Sequence, residues 1–146
     1  MPTALSADPT TVANRLRPAL LRLNRELRRE IHSLGVTGGQ VSLLVKIKNE
    51  PGIGIRELAR WERMSTPGMS KYIARLEAAG LVRRTALADR RRVGLELTPE
   101  GSRVLSSVKR RRTAWLAERL RGLSAVELDA VDAAVEPLSK LLEVGP

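Results

Sequence analysis

The sequence predicts a mainly α-helical chain of the α+β class, with one two-stranded hairpin in its second half. Most of the 146 residues place apolar side chains every three or four positions, the period of an amphipathic helix. Val93, Leu95 and Leu97 instead alternate with polar or small residues, as in a strand with one buried face. The chain has no Phe, one Tyr and two Trp, so aliphatic residues and Ala must fill a core of packed helices.

The first helix is predicted over residues 9–34. Its apolar stripe comprises Val12, Leu16, Leu20, Leu23, Leu27 and Ile31. Pro18 falls within it and is expected to kink the helix or to mark where its rigid part begins. Gly35 ends the helix, and a capping box of Thr37 and Gln40 opens the next one.

Two short helices follow, joined by a turn at residues 63–66. The first covers residues 55–62. The second starts with Thr66 as its N-cap and Pro67 at its first helical position, and it runs to about Ala79. Two short apolar helices joined in this way form a helix-turn-helix.

A hairpin and two more helices complete the chain. Strands are predicted over 81–85 and 92–97, with the turn at Asp89–Arg91 between them. Thr98 begins a long helix, and a second capping box, Ser124-x-x-Glu127, opens a final helix that contains Pro137. Since the hairpin directly follows the helix-turn-helix, the architecture is a winged helix-turn-helix.

Charge and composition bound the function. The 26 Lys and Arg outnumber the 16 Asp and Glu, which gives a net charge of +10 and favours polyanionic partners. With no cysteine and a single histidine, His32, the chain lacks the residues for a disulfide, a thiol nucleophile or a polyhistidine metal site. It has no membrane-length apolar run, no signal core and no recognisable catalytic motif. We expect a cytoplasmic protein that is not an enzyme and needs no cofactor, metal or membrane.

The second helix of the pair carries the first set of candidate DNA-binding residues. Met69, Ile73 and Leu76 share one face, which leaves small and basic residues on the other. Lys and Arg can meet guanine acceptors in the major groove, while small side chains let the helix approach. A solvated basic face is the alternative, but the position before the wing favours DNA. These candidates are Thr66, Gly68, Ser70, Lys71 and Arg75.

The wing carries the second set. A thin hairpin can place arginine in a narrow minor groove, where the electrostatic potential is most negative. Three consecutive arginines also exceed what a merely soluble loop tip needs. These candidates are Arg83 and Arg84 on the outgoing strand, Asp89 as a brace of the turn, and Arg90, Arg91 and Arg92 at the tip. For the basic run at 109–112, phosphate contact, an intersubunit ion pair and plain solvation remain open.

The sequence resembles the multiple antibiotic resistance regulator (MarR) family over residues 12–143. Four segments carry the resemblance: 34–44, 55–82, 89–101 and 123–131. The third matches the family's wing pattern D-x-R-x-x-x-L/V-x-L-T-x-x-G through Asp89, Arg91, Leu95, Leu97, Thr98 and Gly101.

The resemblance implies one MarR-type chain over 1–146, with the DNA-binding winged helix at 36–98 and dimerisation helices at 9–34 and 99–143. It implies a homodimeric repressor on a pseudo-palindromic operator, released by a small aromatic or weakly acidic effector. Arg91 would be the minor-groove arginine. The alternatives are a sequence-indifferent nucleic-acid binder, and an enzyme or protein-binding module. Base-contact candidates on one helix face favour the regulator over the first, and the charge disfavours the second.

Overall fold

A computed structural model describes residues 6–86 and 92–143. These residues fold into six α-helices, one 3-10 turn and a two-stranded sheet, which confirms the predicted winged helix-turn-helix. The order is α1 (Pro9–Arg29), a 3-10 turn (His32–Leu34), α2 (Gly38–Asn49), α3 (Ile55–Glu62), α4 (Thr66–Ala78), β1 (Val82–Ala86), β2 (Val93–Leu97), α5 (Pro99–Leu120) and α6 (Ala125–Lys140). In the described part of the chain, every helix is too short or too polar to cross a membrane.

The core lies where α2, α3, α4, the hairpin and the first half of α5 meet. It contains no aromatic ring among its fully buried side chains, as the composition predicted. Each such side chain stabilises the fold by about 1.5–3 kcal/mol through loss of apolar surface from water. The largest fully buried side chains are Ile31, Leu43, Leu44, Ile47, Leu58, Met69, Ile73, Leu76 and Leu95.

Both predicted capping boxes are present. The Thr37 hydroxyl accepts from the Gln40 N–H at 3.1 Å, and the Gln40 side chain accepts from the Thr37 N–H at 3.0 Å. Ser124 and Glu127 make the same pair of bonds at 3.2 Å and 2.9 Å. Each box satisfies two backbone donors that the first helical turn would leave unpaired.

The predicted start of α4 is wrong by one residue. Ser65, not Thr66, is the N-cap, because its backbone is extended while Thr66 is already helical. The Ser65 hydroxyl accepts from the Gly68 N–H at 3.1 Å. Pro67 therefore occupies the second helical position, where its missing N–H still has no helical acceptor to lose.

The first helix differs from its prediction at both features of its length. α1 ends at Arg29, and the remaining residues form the 3-10 turn, which Gly35 closes with a φ of 76°. Pro18 lies within continuous helix, as does Pro137 in α6. Each proline removes one backbone hydrogen bond, and the turns on both sides hold the helix together.

The wing is an antiparallel hairpin anchored to the core. Val82 pairs with Leu97 and Ala86 with Val93, so each strand lies within one residue of its predicted bounds. Leu95 also bridges Ile53 in the loop before α3, donating to its carbonyl at 2.9 Å. That bridge fixes the base of the wing beside the helix-turn-helix. The predicted turn at Asp89–Arg91 lies outside the described residues.

Gly101 allows α5 to start directly against the wing. A Cβ at this position would lie 2.2 Å from the Leu81 carbonyl oxygen, far inside van der Waals contact. The Leu81 carbonyl also accepts from the Thr98 N–H at 3.1 Å, so it cannot move aside without losing that bond.

We expect Gly101→Ala to destabilise the fold by at least about 1–3 kcal/mol, the usual cost of overpacking. Gly39→Ala is the control, since its added Cβ would come no closer than 3.4 Å to any atom of another residue outside its chain neighbours. Urea unfolding followed by circular dichroism measures both variants. Equal stability of the two would contradict the close approach of α5 to Leu81.

Candidate nucleic-acid interface

The turn between α3 and α4 fixes the angle at which α4 is presented. Arg63 ends α3 with φ 58° and ψ 44°, a left-handed conformation that side chains other than Gly rarely adopt. Met64 then donates from its N–H to the Ala59 carbonyl at 2.8 Å. Leu58 on α3 and Met69 on α4 are both fully buried, so packing locks the two helices together.

Helix α4 has one buried face and one exposed basic face, as predicted. Met69, Ile73 and Leu76 have no exposed surface. Lys71 and Arg75 are exposed and lie four residues apart, hence on the same side of the helix. Within the described residues neither forms an intramolecular salt bridge. The arrangement presents two cations to a partner outside the protomer.

The other candidates on α4 occupy its margins. Thr66 is exposed at the first turn, while Gly68 and Ser70 are half-buried. A Cβ on Gly68 would lie 2.9 Å from the Ser65 hydroxyl oxygen. The glycine therefore accommodates the N-cap bond, a structural reason that the sequence analysis did not foresee.

Two alanines complete the exposed face of α4 and were missed from the sequence. Ala74 and Ala78 are exposed and lie three residues after Lys71 and Arg75, respectively. Helical spacing alone could have identified them. Their methyl groups allow close approach to a groove floor and can contact a thymine methyl.

The first strand of the wing uses its arginines in ion pairs. Arg83 bonds Glu96 across the hairpin at 3.1 Å, and Arg84 bonds Glu77 at the end of α4 at 2.8 Å. Exposed pairs of this kind contribute between 0 and about 1 kcal/mol, so a phosphate can displace the carboxylate at low cost. Arg92 is exposed at the start of the returning segment. Of the remaining wing candidates, Asp89, Arg90 and Arg91 lie outside the described residues.

The basic run at 109–112 divides between solvent and the protein body. Lys109, Arg110 and Arg111 are exposed, whereas Arg112 is half-buried and turns toward α1 and α2. Since four consecutive helical residues point in all directions, one of them had to face inward.

Arg112 lines a cleft of about 590 Å³ between α1, α2 and α5. Polar, basic and aromatic groups share its wall, and Lys46 lies 5.2 Å from the ring centre of Trp61. A Cβ on Gly38 would come within 3.0 Å of the Arg28 Nε, so the glycine leaves room for that side chain. The lining comprises Asn24, Arg28, Gly38, Val41, Ser42, Val45, Lys46, Asn49, Trp61 and Arg112.

The electrostatics of this cleft favour an anion. Burial lowers the pKa of the Arg112 guanidinium, and the positive charge of Arg28 lowers it further. Arg112 nevertheless stays protonated, because arginine is not deprotonated in proteins. Among the described residues its buried Nε has no hydrogen-bond partner. A buried donor without an acceptor is costly, and a carboxylate in the cleft would remove that cost.

The outer helices expose apolar side chains on a large scale. Neither α1 nor α6 contains a fully buried residue. The exposed apolar residues of α1 include Val12, Leu20, Leu21 and Leu23, and those at and beyond α6 are Val126, Leu128, Val131, Val135, Leu141 and Leu142. Surfaces of this size mark interaction sites in folded proteins.

Comparison with known proteins agrees with this geometry. Residues 36–93 match the MarR family. A helix-turn-helix-type transcriptional regulator of Mycobacterium bovis is 33% identical over 136 residues, which are 92% of this chain and 95% of the relative. A MarR family protein from Bacillus stearothermophilus has a TM-score of 0.79 at 22% identity, over 95% of this chain and all of that one. A mutant of MepR from Staphylococcus aureus, bound to an oligodeoxyribonucleotide, has a TM-score of 0.69 at 19% identity, over 90% of this chain and 97% of that one.

The core-locked helix pair, the exposed cations of α4 and the anchored hairpin define a winged helix-turn-helix protein of the DNA-binding class. The chain belongs to the MarR family of transcriptional regulators.

Proposed function

We propose that the protein is a homodimeric repressor that reads an inverted-repeat operator and is released by a small organic acid. The observation that carries this proposal is the exposed face of α4. Lys71 and Arg75 lie there beside Ala74 and Ala78, opposite a fully buried apolar face. A rigid helix with cations among small side chains fits the major groove and can donate to guanine.

The wing extends this contact to the neighbouring groove. We assign the minor-groove contact to Arg91, braced by Asp89, with Arg90 and Arg92 on the adjacent phosphates. Arg83 and Arg84 contact phosphate by exchanging their carboxylate partners. The structural neighbour MepR, solved with an oligodeoxyribonucleotide, supports DNA as the polyanion.

Two copies are needed to read an inverted repeat. The winged helix spans residues 36–98, and the dimerisation helices are at 9–34 and 99–143. The exposed apolar residues of α1 and α6 support this division, since a single protomer leaves them in water. A two-fold dimer places the two α4 helices about 34–36 Å apart, one turn of DNA, or a multiple of it.

The effector binds in the cleft that Arg28, Arg112 and Trp61 line. Its carboxylate accepts from the Arg112 Nε, and its ring packs against apolar walls and Trp61. Because the cleft joins the outer helices to α2 of the winged helix, an occupant can change the angle between them. Such a ligand releases DNA only if it binds the DNA-incompetent arrangement more tightly.

The contact of α4 with DNA is tested by single substitutions. Lys71→Ala or Arg75→Ala loses a base contact and weakens operator binding by about 1–3 kcal/mol, with relaxed preference at one position in each half-site. Lys48→Ala, which removes one exposed charge from α2, should leave that preference unchanged. Fluorescence anisotropy on a panel of singly altered duplexes measures both effects. Equal loss on every sequence would reassign the residue to phosphate, and wild-type affinity would refute its role.

The effector cleft is tested with benzoate at constant ionic strength. Benzoate should weaken operator binding by the wild-type protein. Arg112→Met should raise the benzoate concentration needed by about tenfold or more, because it removes a charge-assisted hydrogen bond. DNA affinity without benzoate should stay close to that of the wild type.

Arg111→Met is the matched control, since Arg111 is exposed one position earlier on α5. An equal response of the two variants to benzoate would exclude Arg112 as its ligand.

A further inference from the structure

The outer helices carry opposite net charges. Within a strongly basic chain, α1 holds six arginines against one glutamate, whereas α6 holds four carboxylates against one lysine. No other helix in the described part of the chain has a net negative charge. Hydrophobic burial explains the apolar stripes of both helices but does not explain why their charges differ in sign.

The charges also lie in rows along one side of each helix. Arg15, Arg22 and Arg29 recur every seven residues of α1, so they follow one line beside the apolar stripe. On α6 the acidic row is Asp129, Asp132 and Glu136, with intervals of three and four residues that also keep one face. All six side chains belong to exposed residues.

Intramolecular contacts leave the acidic row without partners. Among residues 6–86 and 92–143, Asp129, Asp132 and Glu136 form no salt bridge, and of the three arginines only Arg29 does, with Glu26 on its own helix at 3.4 Å. Like charges in a row repel each other, which is unfavourable unless an opposite row lies against them.

A concave surface beside α1 adds to its positive potential. A cavity of about 600 Å³ lies between α1 and α5, and Arg22, Arg25 and Arg119 line it together with Trp115. Arg119 lies 5.2 Å from the ring centre of Trp115. Three guanidinium groups against one carboxylate, that of Glu26, make this side of α1 a receptor for acidic groups.

From these observations we propose that the acidic row of α6 binds the basic side of α1 in a second copy of the chain. The inference rests on the proposed homodimer and adds what selects its helix pairing. The apolar stripes supply the buried centre of the interface, and the charged rows form its rim. Complementary rims fix register and exclude like-charged pairings such as α1 against α1. Since the rim is exposed to salt, dimer affinity falls as ionic strength rises.

Charge reversal in two separate chains tests the pairing. The first variant carries Asp129→Lys, Asp132→Lys and Glu136→Lys; the second carries Arg15→Glu, Arg22→Glu and Arg29→Glu. Alone, each variant brings like charges together and should dimerise at least about tenfold more weakly than the wild type. Mixed in equal amounts, they should form a heterodimer, because both α1–α6 contacts then regain opposite charges.

Native mass spectrometry and sedimentation measure the assembly at low and high salt, and circular dichroism verifies that each variant is folded. The control carries Glu57→Lys, Glu62→Lys and Glu100→Lys, the same change in net charge at exposed positions outside α1 and α6. It should dimerise like the wild type.

The outcomes separate the two proposals. A monomeric wild type at micromolar concentration overturns the homodimer itself. A dimeric wild type whose charge-reversed variants dimerise equally well, or do not combine on mixing, overturns only the α1–α6 pairing. If a variant fails to fold, the salt dependence of the wild-type dimer decides: an affinity that does not fall with salt contradicts the charged rim.

Discussion

The burial of one face of α4 determines what the rest of the molecule can do. Met69, Ile73 and Leu76 are fully buried against the core, which fixes the rotation of the helix about its axis. Lys71 and Arg75 are thereby held on the outer side, without any bond of their own to orient them. The bridge between Ile53 and Leu95 and the close approach at Gly101 then attach the wing and α5 to the same core. The proposed reading of DNA depends on this rigid frame.

Local sequence signals predicted the fold well because local chemistry creates them. The capping boxes of Thr37 and Ser124 appear as the spacing indicated, and the strands fall within one residue of their predicted bounds. The errors have local causes as well. Ser65 and Thr66 are both competent N-caps, and sequence alone does not show which has the extended backbone. Pro18 suggested an interruption, but a helix of 21 residues continues through it.

The candidate site was only partly predictable. Periodicity placed Lys71 and Arg75 on one face, because that inference needs nothing beyond the helix itself. The ion pairs of Arg83 and Arg84 join residues 13 and 7 positions apart, so they depend on tertiary structure. The cleft at Arg112 draws its lining from four helices, and a basic run could not reveal which of its members turns inward.

The distribution of charge gives each part of the chain a separate task. Cations on α4 and the wing face DNA in our proposal, those around Arg112 await a small anion, and those on α1 meet the acidic α6 of a second copy. A net charge of +10 alone would equally suit a sequence-indifferent binder. What argues for a specific regulator is that few of these cations lie on the helix that can reach base edges.

Selection of bound sequences from a random pool of duplexes tests this central claim most directly. Our account predicts enrichment of one inverted repeat, with half-sites about 10–10.5 base pairs apart or a multiple of that distance. The selected duplex should bind roughly 10³-fold or more tightly than random DNA. A pool that remains random, with affinity set by salt concentration alone, would contradict the account and identify a sequence-indifferent nucleic-acid binder.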